Sequence, residues 1–403
     1  MDTTAANHFI PAPIAARGRL AGRHVAVVTE TWLPEVNGVS LTLWRLLERF
    51  NERHALTVIR PAQGKPDRGE QLPDTRTILV PGMPLPGYPG LRLGLPARRR
   101  LIAEWRATPP DIVHVITEGP LGWSAVQAAR QLGIPVISDL HTHFDLYLGH
   151  YGLPMFRSVA RAWLRAIHNR ASLTLVPTQA LAKALQRDGF HDLDILPRGV
   201  DSDLYHPRRR NATLRSSWGV GADDPVLLCV GRVAAEKNLP LAIASWQRLR
   251  QRLPDARLVI VGDGPERRRL QANHPDVIFT GMLRGGELAD AYASADLFLF
   301  PSLTDTFGNV VLEAMASGLA VVAFDLAAAH EHISHRSNGW RVPTTQPDAF
   351  VAATVALGMD PSARQQLGVA ARKAVEPVDW QRIRIRYERF INDQLHAGGV
   401  HAQ

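Results

Sequence analysis

"DLFLFPSLTDTFGNVVLEAMASGLAVVAFD", residues 296–325, decides how the chain folds. DLFLFPS is a short apolar run of strand length, GNVVLEAMASG has the apolar spacing of a helix and closes on a glycine, and AVVAFD is a second strand-length run. A strand, a covering helix and a following strand form a parallel unit, so the question is how far the alternation extends.

Upstream it continues without a break. PVLLCVGRV (225–233), ARLVIVGDG (256–264) and VIFTG (277–281) read as strands, with NLPLAIASWQRLR, PERRRLQAN and GELADAYASA as helices between them. Towards the N-terminus the same grammar appears again. HVAVVTE (24–30), HALTVIRP, TRTILVPG, DIVHVITE, PVISDLH and LTLVPTQA are strands, and SLTLWRLLERF (40–50) is the first helix. The expectation is an α/β protein with two Rossmann-like, doubly wound domains. The polar, proline-containing stretch LPRGVDSDLYHPRRRNATLRSSWGVGADD joins them. The boundaries are set at 1–198 and 199–378, and an amphipathic helix within 379–403 carries Trp380, Ile383, Tyr387, Phe390 and Ile391 mostly on one side, to be docked on protein.

At 403 residues and 45% hydrophobic, the chain can bury two cores. Its single cysteine, Cys229, sits in a strand pattern and leaves no disulfide or CxxC pair, which favours a reducing compartment. MDTTAANHFIPAPIAARGRL lacks the basic start and apolar core of a signal peptide, and no apolar run is long enough to span a bilayer. A net charge of +8 favours an anionic partner without choosing among nucleic acid, membrane and phosphorylated small molecule. Specific nucleic-acid binding would call for an aromatic-interleaved basic track or a reading helix, and neither is present.

Ligands of open α/β sheets bind beyond the carboxyl ends of the strands, so the residues after strands matter most. TETWLPEVNGVS (29–40) places Asn37 and Gly38 at a helix start, where backbone donors and a missing Cβ would admit a phosphate or a hydroxyl; a plain turn explains Gly38 equally well. In LLCVGRVAAEKN, Arg232 and Lys237 are two cations at a strand end, suited to a diphosphate. VIVGDGPERRRL has a GxG without the third glycine of a dinucleotide fingerprint, so NAD is rejected. Gly262 to Gly264 form a tight turn under a nucleotide, or simply a turn. In the opening stretch, Thr306, Phe307, Gly308 and Asn309 precede a helix whose N–H groups can receive phosphate oxygens. Asp305 is then placed to accept from sugar hydroxyls, and Glu313, further into the helix, from a diol such as a ribose.

Asp139, His141, His143 and Asp145 cluster after the strand PVISDLH. Their spacing is not a metal-ligand set, so one imidazole is expected to point across the cleft and donate to a sugar oxygen. The segment MFRSVARAWLRAIHNRASL sets Phe156, Val159, Trp163 and Ile167 against Arg157, Arg161 and Arg165. It reads either as an ordinary surface helix or as one lying on anionic lipid, and PLPGYPGLRLGLPARRR (84–100) is a second basic and apolar segment.

With TETWLPEVNGVS, GRVAAEKN and GNVVLEAMASG occurring in this order, the chain resembles the retaining glycosyltransferases of family 4, a GT-B group. It is closest in kind to bacterial GDP-mannose-dependent alpha-mannosyltransferases and glycolipid glycosyltransferases. The resemblance spans nearly the whole chain. It implies transfer of a hexose, best matched by mannose from GDP-mannose, to a hydroxyl of a lipid-linked or glycan acceptor, with a UDP-sugar donor as the alternative and a nucleotide-sugar epimerase of similar fold as a further one. It also implies retention of anomeric configuration, no bound metal or other cofactor beyond the nucleotide-sugar co-substrate, and a cytoplasmic enzyme, peripheral on the inner face of the plasma membrane.

By residue, the resemblance places His141 near the reacting sugar, Gly38 by the pyrophosphate, and Arg232 and Lys237 as the donor-phosphate clamp. Glu313 falls on the ribose carboxylate, and Phe307, Gly308 and Asn309 on the loop at donor sugar and phosphate. Gly281 and Met282 lie where loop shape would read the base. Asp305 stands where the family usually has glutamate, a side chain one methylene longer.

Overall fold

In the computed structural model, residues 22–35, 37–64, 66–84, 92–141 and 157–400 are described, without the side chains of 157 and 398–400. His143, Asp145, Phe156, the N-terminal stretch 1–21 and the middle of the 84–100 segment lie outside them.

The first sheet contains β1 (His24–Val28), β2 (Ala55–Pro61), β3 (Arg76–Val80), β6 (Ile112–Val115), β7 (Val136–Asp139), β8 (Leu173–Val176) and β9 (Leu193–Ile195), with β4 (Gly82–Pro84) and β5 (Arg92–Gly94) forming a separate antiparallel pair. Its order is β3-β2-β1-β6-β7-β8-β9, parallel throughout. The second sheet contains β10 (Val226–Val230), β11 (Arg257–Val261), β12 (Ile278–Gly281), β13 (Leu297–Phe300), β14 (Ala320–Phe324) and β15 (Trp340–Val342), in the order β12-β11-β10-β13-β14-β15. Strand order reverses beside β1 in one sheet and beside β10 in the other, which opens a crevice at each of those carboxyl ends.

Alternating side chains show why β1 after His24, and β10 throughout, are apolar at every position. Val25 and Val27 join one core cluster while Ala26 and Val28 join another; in β10, Val226 and Leu228 face one layer and Leu227 and Cys229 the opposite one. Burial pushes the Cys229 thiol up to about 12, consistent with an inert core residue. The sequence pattern missed β4, β5, β9 and β15, each three residues long and too short to carry a period.

The chain runs between the two sheets twice. At the first passage Val200 N donates to Val378 O over 2.9 Å, and Val200 pairs with Asp379 as an isolated bridge. A Cβ on Gly199 would stand 2.8 Å from Trp380 N, so the two crossings touch backbone to backbone. Beyond them the helix Trp380–Val400 buries Ile383, Tyr387, Phe390 and Ile391 in the cluster that holds Val25, Val27 and Phe50.

Candidate active site

The carboxyl ends of β10 and β13 bring together residues far apart in sequence. After β10 the chain makes a short 3-10 turn, Ala235–Lys237, closed by Asn238 in the left-handed region at φ +51°. The loop after β13 is tied to that turn, since Ser302 Oγ and Leu303 N both donate to Glu236 O. This docks Lys237 Nζ on Asp305 Oδ1 at 2.6 Å. Asp305 Oδ2 is buried and has no hydrogen-bond partner among the described residues. Arg232 Nη1 stands 3.9 Å from Glu236 Oε1, on the same turn.

Gly308 then enters the helix Asn309–Ala316 at φ +83°, with no side chain capping its N-terminus. A Cβ there would meet Phe300 Cζ at 2.8 Å, so both backbone conformation and packing require glycine. The N–H groups of Phe307 and Gly308 make no hydrogen bond among the described residues, whereas Phe307 O accepts from Ala328 N and its ring is buried. The open end of this helix is therefore a set of oriented donors beside a cation–carboxylate pair. Asn309 Nδ2 reaches Thr42 Oγ1 of the first helix at 3.3 Å, so the two halves of the molecule meet at this point.

Glu313 lies within that helix and accepts a 2.8 Å hydrogen bond from Tyr292 Oη. Burial pushes its carboxyl above the usual range, opposed by Tyr292 and Tyr205. Gly281 ends β12 at φ +78°, followed by the half-exposed Met282.

The structure adds local detail at three of the expected positions. Gly262 sits at φ +137°, and a Cβ on it would fall 1.9 Å from Gly231 O; the close approach that demands glycine comes from the neighbouring strand end and needs no ligand. At the first helix, Gly38–Leu47, the donors are not bare: Asn37 Oδ1 accepts from Val39 N at 2.9 Å and Ser40 N at 2.8 Å in a capping box. Gly38 itself has no atom of the described residues within 4 Å of where its Cβ would stand, so the space above it is open. His141, finally, has protein groups at both ring nitrogens. Its Nδ1 accepts from Arg198 Nη2 at 2.8 Å, and its Nε2 lies 3.1 Å from Asp139 Oδ2, too bent for a hydrogen bond. Burial, then the Arg198 charge, holds this imidazole below its ordinary pKa.

Arg198, Tyr292, Tyr205 and Thr42 were not singled out by sequence reasoning. Arg198 follows a short strand in LPRGVD, which reads as linker chemistry, and the tyrosines sit in ordinary helix and turn patterns. Among the described residues no group of three or more His, Cys, Asp or Glu is arranged to hold a metal, and no helix is long and apolar enough to cross a membrane.

One carboxylate at the carboxyl end of β1 gives a testable pH signature. Glu30 is buried, its Oε1 accepting from Leu121 N at 2.9 Å. Burial pushes its carboxyl up to about 7, the Leu121 bond opposing and the Glu118 charge adding to the rise. The native state therefore retains a proton that the unfolded chain has already lost. The stability contribution is fully present below the unfolded pKa of 4.5 and is lost as pH rises to about 7. Glu30→Gln should remove up to about 3 kcal/mol of that decline, read from urea unfolding at pH 4.5 and pH 8. A decline as steep as in the unsubstituted protein would place the titration elsewhere, for instance on Glu35, which burial also pushes up to about 7.

Comparison with known proteins places the chain by family and by fold. The family model described as "Glycosyltransferase Family 4" matches residues 36–204, and the one described as "Glycosyl transferases group 1" matches residues 224–360. A GDP-mannose-dependent alpha-mannosyltransferase of Mycobacterium tuberculosis is 37% identical over 90% of this chain and 94% of its own length. The sulfoquinovosyl transferase SQD2 of Arabidopsis thaliana is 33% identical over 83% of this chain and 66% of that protein. In fold, the sucrose-phosphate synthase of Thermosynechococcus elongatus superposes with a TM-score of 0.78 at 20% identity, covering 93% of this chain and 99% of that one. Two parallel sheets with a donor-bearing helix end between them, together with a relative this similar over nearly the whole length, show that the chain belongs to glycosyltransferase family 4, with the GT-B fold.

Proposed function

We propose that the protein is a retaining hexosyltransferase that moves mannose from GDP-mannose to a hydroxyl of a glycolipid or glycan acceptor. The observation that carries this reading is the Lys237–Asp305 pair at the start of the helix Asn309–Ala316, which no described side chain caps, with Asp305 Oδ2 buried and without a hydrogen-bond partner among the described residues. A cation and bare backbone donors suit a diphosphate, while an orphaned carboxylate oxygen suits a sugar hydroxyl. The donor base is supported by the mannosyltransferase relative. A UDP-sugar donor is the second reading; a different transferred sugar is favoured by the sulfoquinovosyl transferase relative, whose name gives another sugar, and by Asp305 in place of the family's usual glutamate.

In this reading residues 1–198 receive the acceptor, residues 199–378 bind the donor, and residues 379–403 return to the first domain. Glu313, held by Tyr292, takes the ribose; Gly281 and Met282 border the base; Gly38 leaves room for the pyrophosphate. The acceptor oxygen forms its bond to the anomeric carbon on the face from which the nucleoside diphosphate leaves. The C–O bond to the diphosphate breaks, and the acceptor proton passes to a leaving phosphate oxygen. Arg232, Lys237 and the helix end offset the negative charge that grows there, so the protein's contribution is chiefly electrostatic. No residue is assigned as a covalent nucleophile, and no metal or other cofactor is assigned.

The enzyme would work from the cytoplasm on the inner face of the plasma membrane. The helix Arg157–His168 supports that placement: it exposes Val159 at 65% and Trp163 at 40%, with Arg161 and Arg165 on the same helix.

Purified protein should be incubated with GDP-, UDP- and ADP-sugars in chelator, with slow donor hydrolysis and calorimetric binding recorded together. GDP-mannose alone is expected to bind and hydrolyse. Preference for another nucleotide would replace the donor, and interconversion of a nucleotide sugar without hydrolysis would replace the reaction.

A further inference from the structure

A buried polar chain runs from the last helix to the domain connector through His141. Tyr387 Oη lies 2.7 Å from His114 Nδ1, and His114 Nε2 lies 3.0 Å from Asp139 Oδ1. Asp139 Oδ2 faces His141 Nε2, and Arg198 Nη2 donates to His141 Nδ1. Tyr387, His114, Asp139 and Arg198 are each at most 4% exposed. Such a chain is costly to bury unless its members satisfy one another.

The donor and acceptor roles at His141 follow from elementary chemistry. A guanidinium has hydrogens to give and no acceptor, so Nδ1 must be the unprotonated nitrogen and the imidazole proton resides on Nε2. An ionised carboxylate has only acceptors, so Asp139 takes the Nε2–H of His114. Burial opposes the Asp139 charge, yet His114 and His141 together hold its carboxyl well below the usual range. His141 is thus a neutral ring whose single N–H is aimed off line at Asp139, and it is pinned from the other side by Arg198.

The two ends of the chain sit on the two crossings between the domains. Arg198 is one residue before Gly199, which packs on Trp380, and Tyr387 is on the helix that Trp380 begins. We propose that Arg198 and Tyr387 are positioning residues that set the tautomer and orientation of His141, making the placement of this ring beside the reacting sugar depend on the geometry of the interdomain hinge. The inference rests on the reading of His141 as a sugar contact. When the connector shifts, Arg198 releases Nδ1, and the ring gains the rotation that the chain otherwise denies it.

The test combines kinetics with imidazole nitrogen spectra of histidine-labelled protein, the His141 signals being identified by their loss in His141→Asn. The unsubstituted enzyme should show a protonated Nε2 and an accepting Nδ1. Arg198→Met should shift the His141 Nδ1 signal and lower kcat by roughly tenfold with donor KM changed less than about twofold, the size of one lost charge-assisted bond. Arg198→Lys should restore most of both, and Tyr387→Phe, which removes only a hydroxyl, should move the His114 signals and lower kcat by about threefold. If Tyr387→Phe and Arg198→Met leave the His141 signals and kcat as they were and change only the melting temperature, the chain is structural and the proposal falls. If His141→Asn itself leaves transfer unimpaired, the sugar-contact reading falls first and takes this inference with it.

Discussion

Lys237→Ala should lower kcat for donor hydrolysis and for transfer by two to three orders of magnitude, roughly what is lost when one preorganised group facing a developing oxyanion is removed. The reason is geometric. Lys237 is carried by a turn that Ser302 and Leu303 lock to the loop of Asp305, so its ammonium is fixed before any donor arrives. The pair is partly exposed, with 22% and 16% of the two side chains accessible, and its loss should cost only about 1 kcal/mol of stability. Activity and melting temperature measured on one preparation separate the two effects. A variant that keeps kcat within a few-fold would mean that Lys237 serves Asp305 and not the donor. Lys237→Arg keeps the charge but cannot reproduce a 2.6 Å contact from a compact ammonium, and should recover part of the loss.

A pair of glycine substitutions should separate in opposite directions. Gly38→Val places its side chain where no described atom lies within 4 Å, at the first position of a helix that Asn37 already caps. Folding should be unchanged or slightly favoured, because a residue less flexible than glycine loses less entropy. If the pyrophosphate comes to this opening, donor turnover should nevertheless fall about a hundredfold, as expected of a reactant displaced by an ångström or so. Gly262→Ala should behave in the reverse manner. Its Cβ would lie 1.9 Å from Gly231 O on a backbone at φ +137°, and the expected destabilisation is about 3 kcal/mol or more. Thermal unfolding and calorimetric titration with GDP-mannose read both outcomes. A Gly38→Val protein that binds and turns over donor normally would remove Gly38 from the site.

The architecture was legible because parallel strands buried on both faces read as near-continuous apolar runs, as β1 after His24 and β10 do. The open helix start at Gly308 was legible for a similar local reason, since a glycine after a strand and ahead of an apolar period marks a turn into a helix. Short edge strands such as β9 and β15 left no pattern long enough to read.

Side-chain partnerships were another matter. Lys237 and Asp305 are 68 residues apart, and their contact is made by β10 and β13 lying side by side. The histidine cluster invited a reading in which an imidazole reaches across the cleft. At His141 the fold presents Arg198 to one nitrogen and Asp139 to the other, because the connector and the returning helix meet where that strand ends. Hydrophobic period and turn chemistry are properties of neighbouring residues, so the sequence by itself determined the two α/β layers, the family and the glycine-led start of the helix Asn309–Ala316. Which nitrogen of His141 holds its proton, which oxygen of Asp305 is left unpartnered, and why Gly262 must be glycine depend on atoms brought within 3 Å or so by separate strands, and only the tertiary structure decided them.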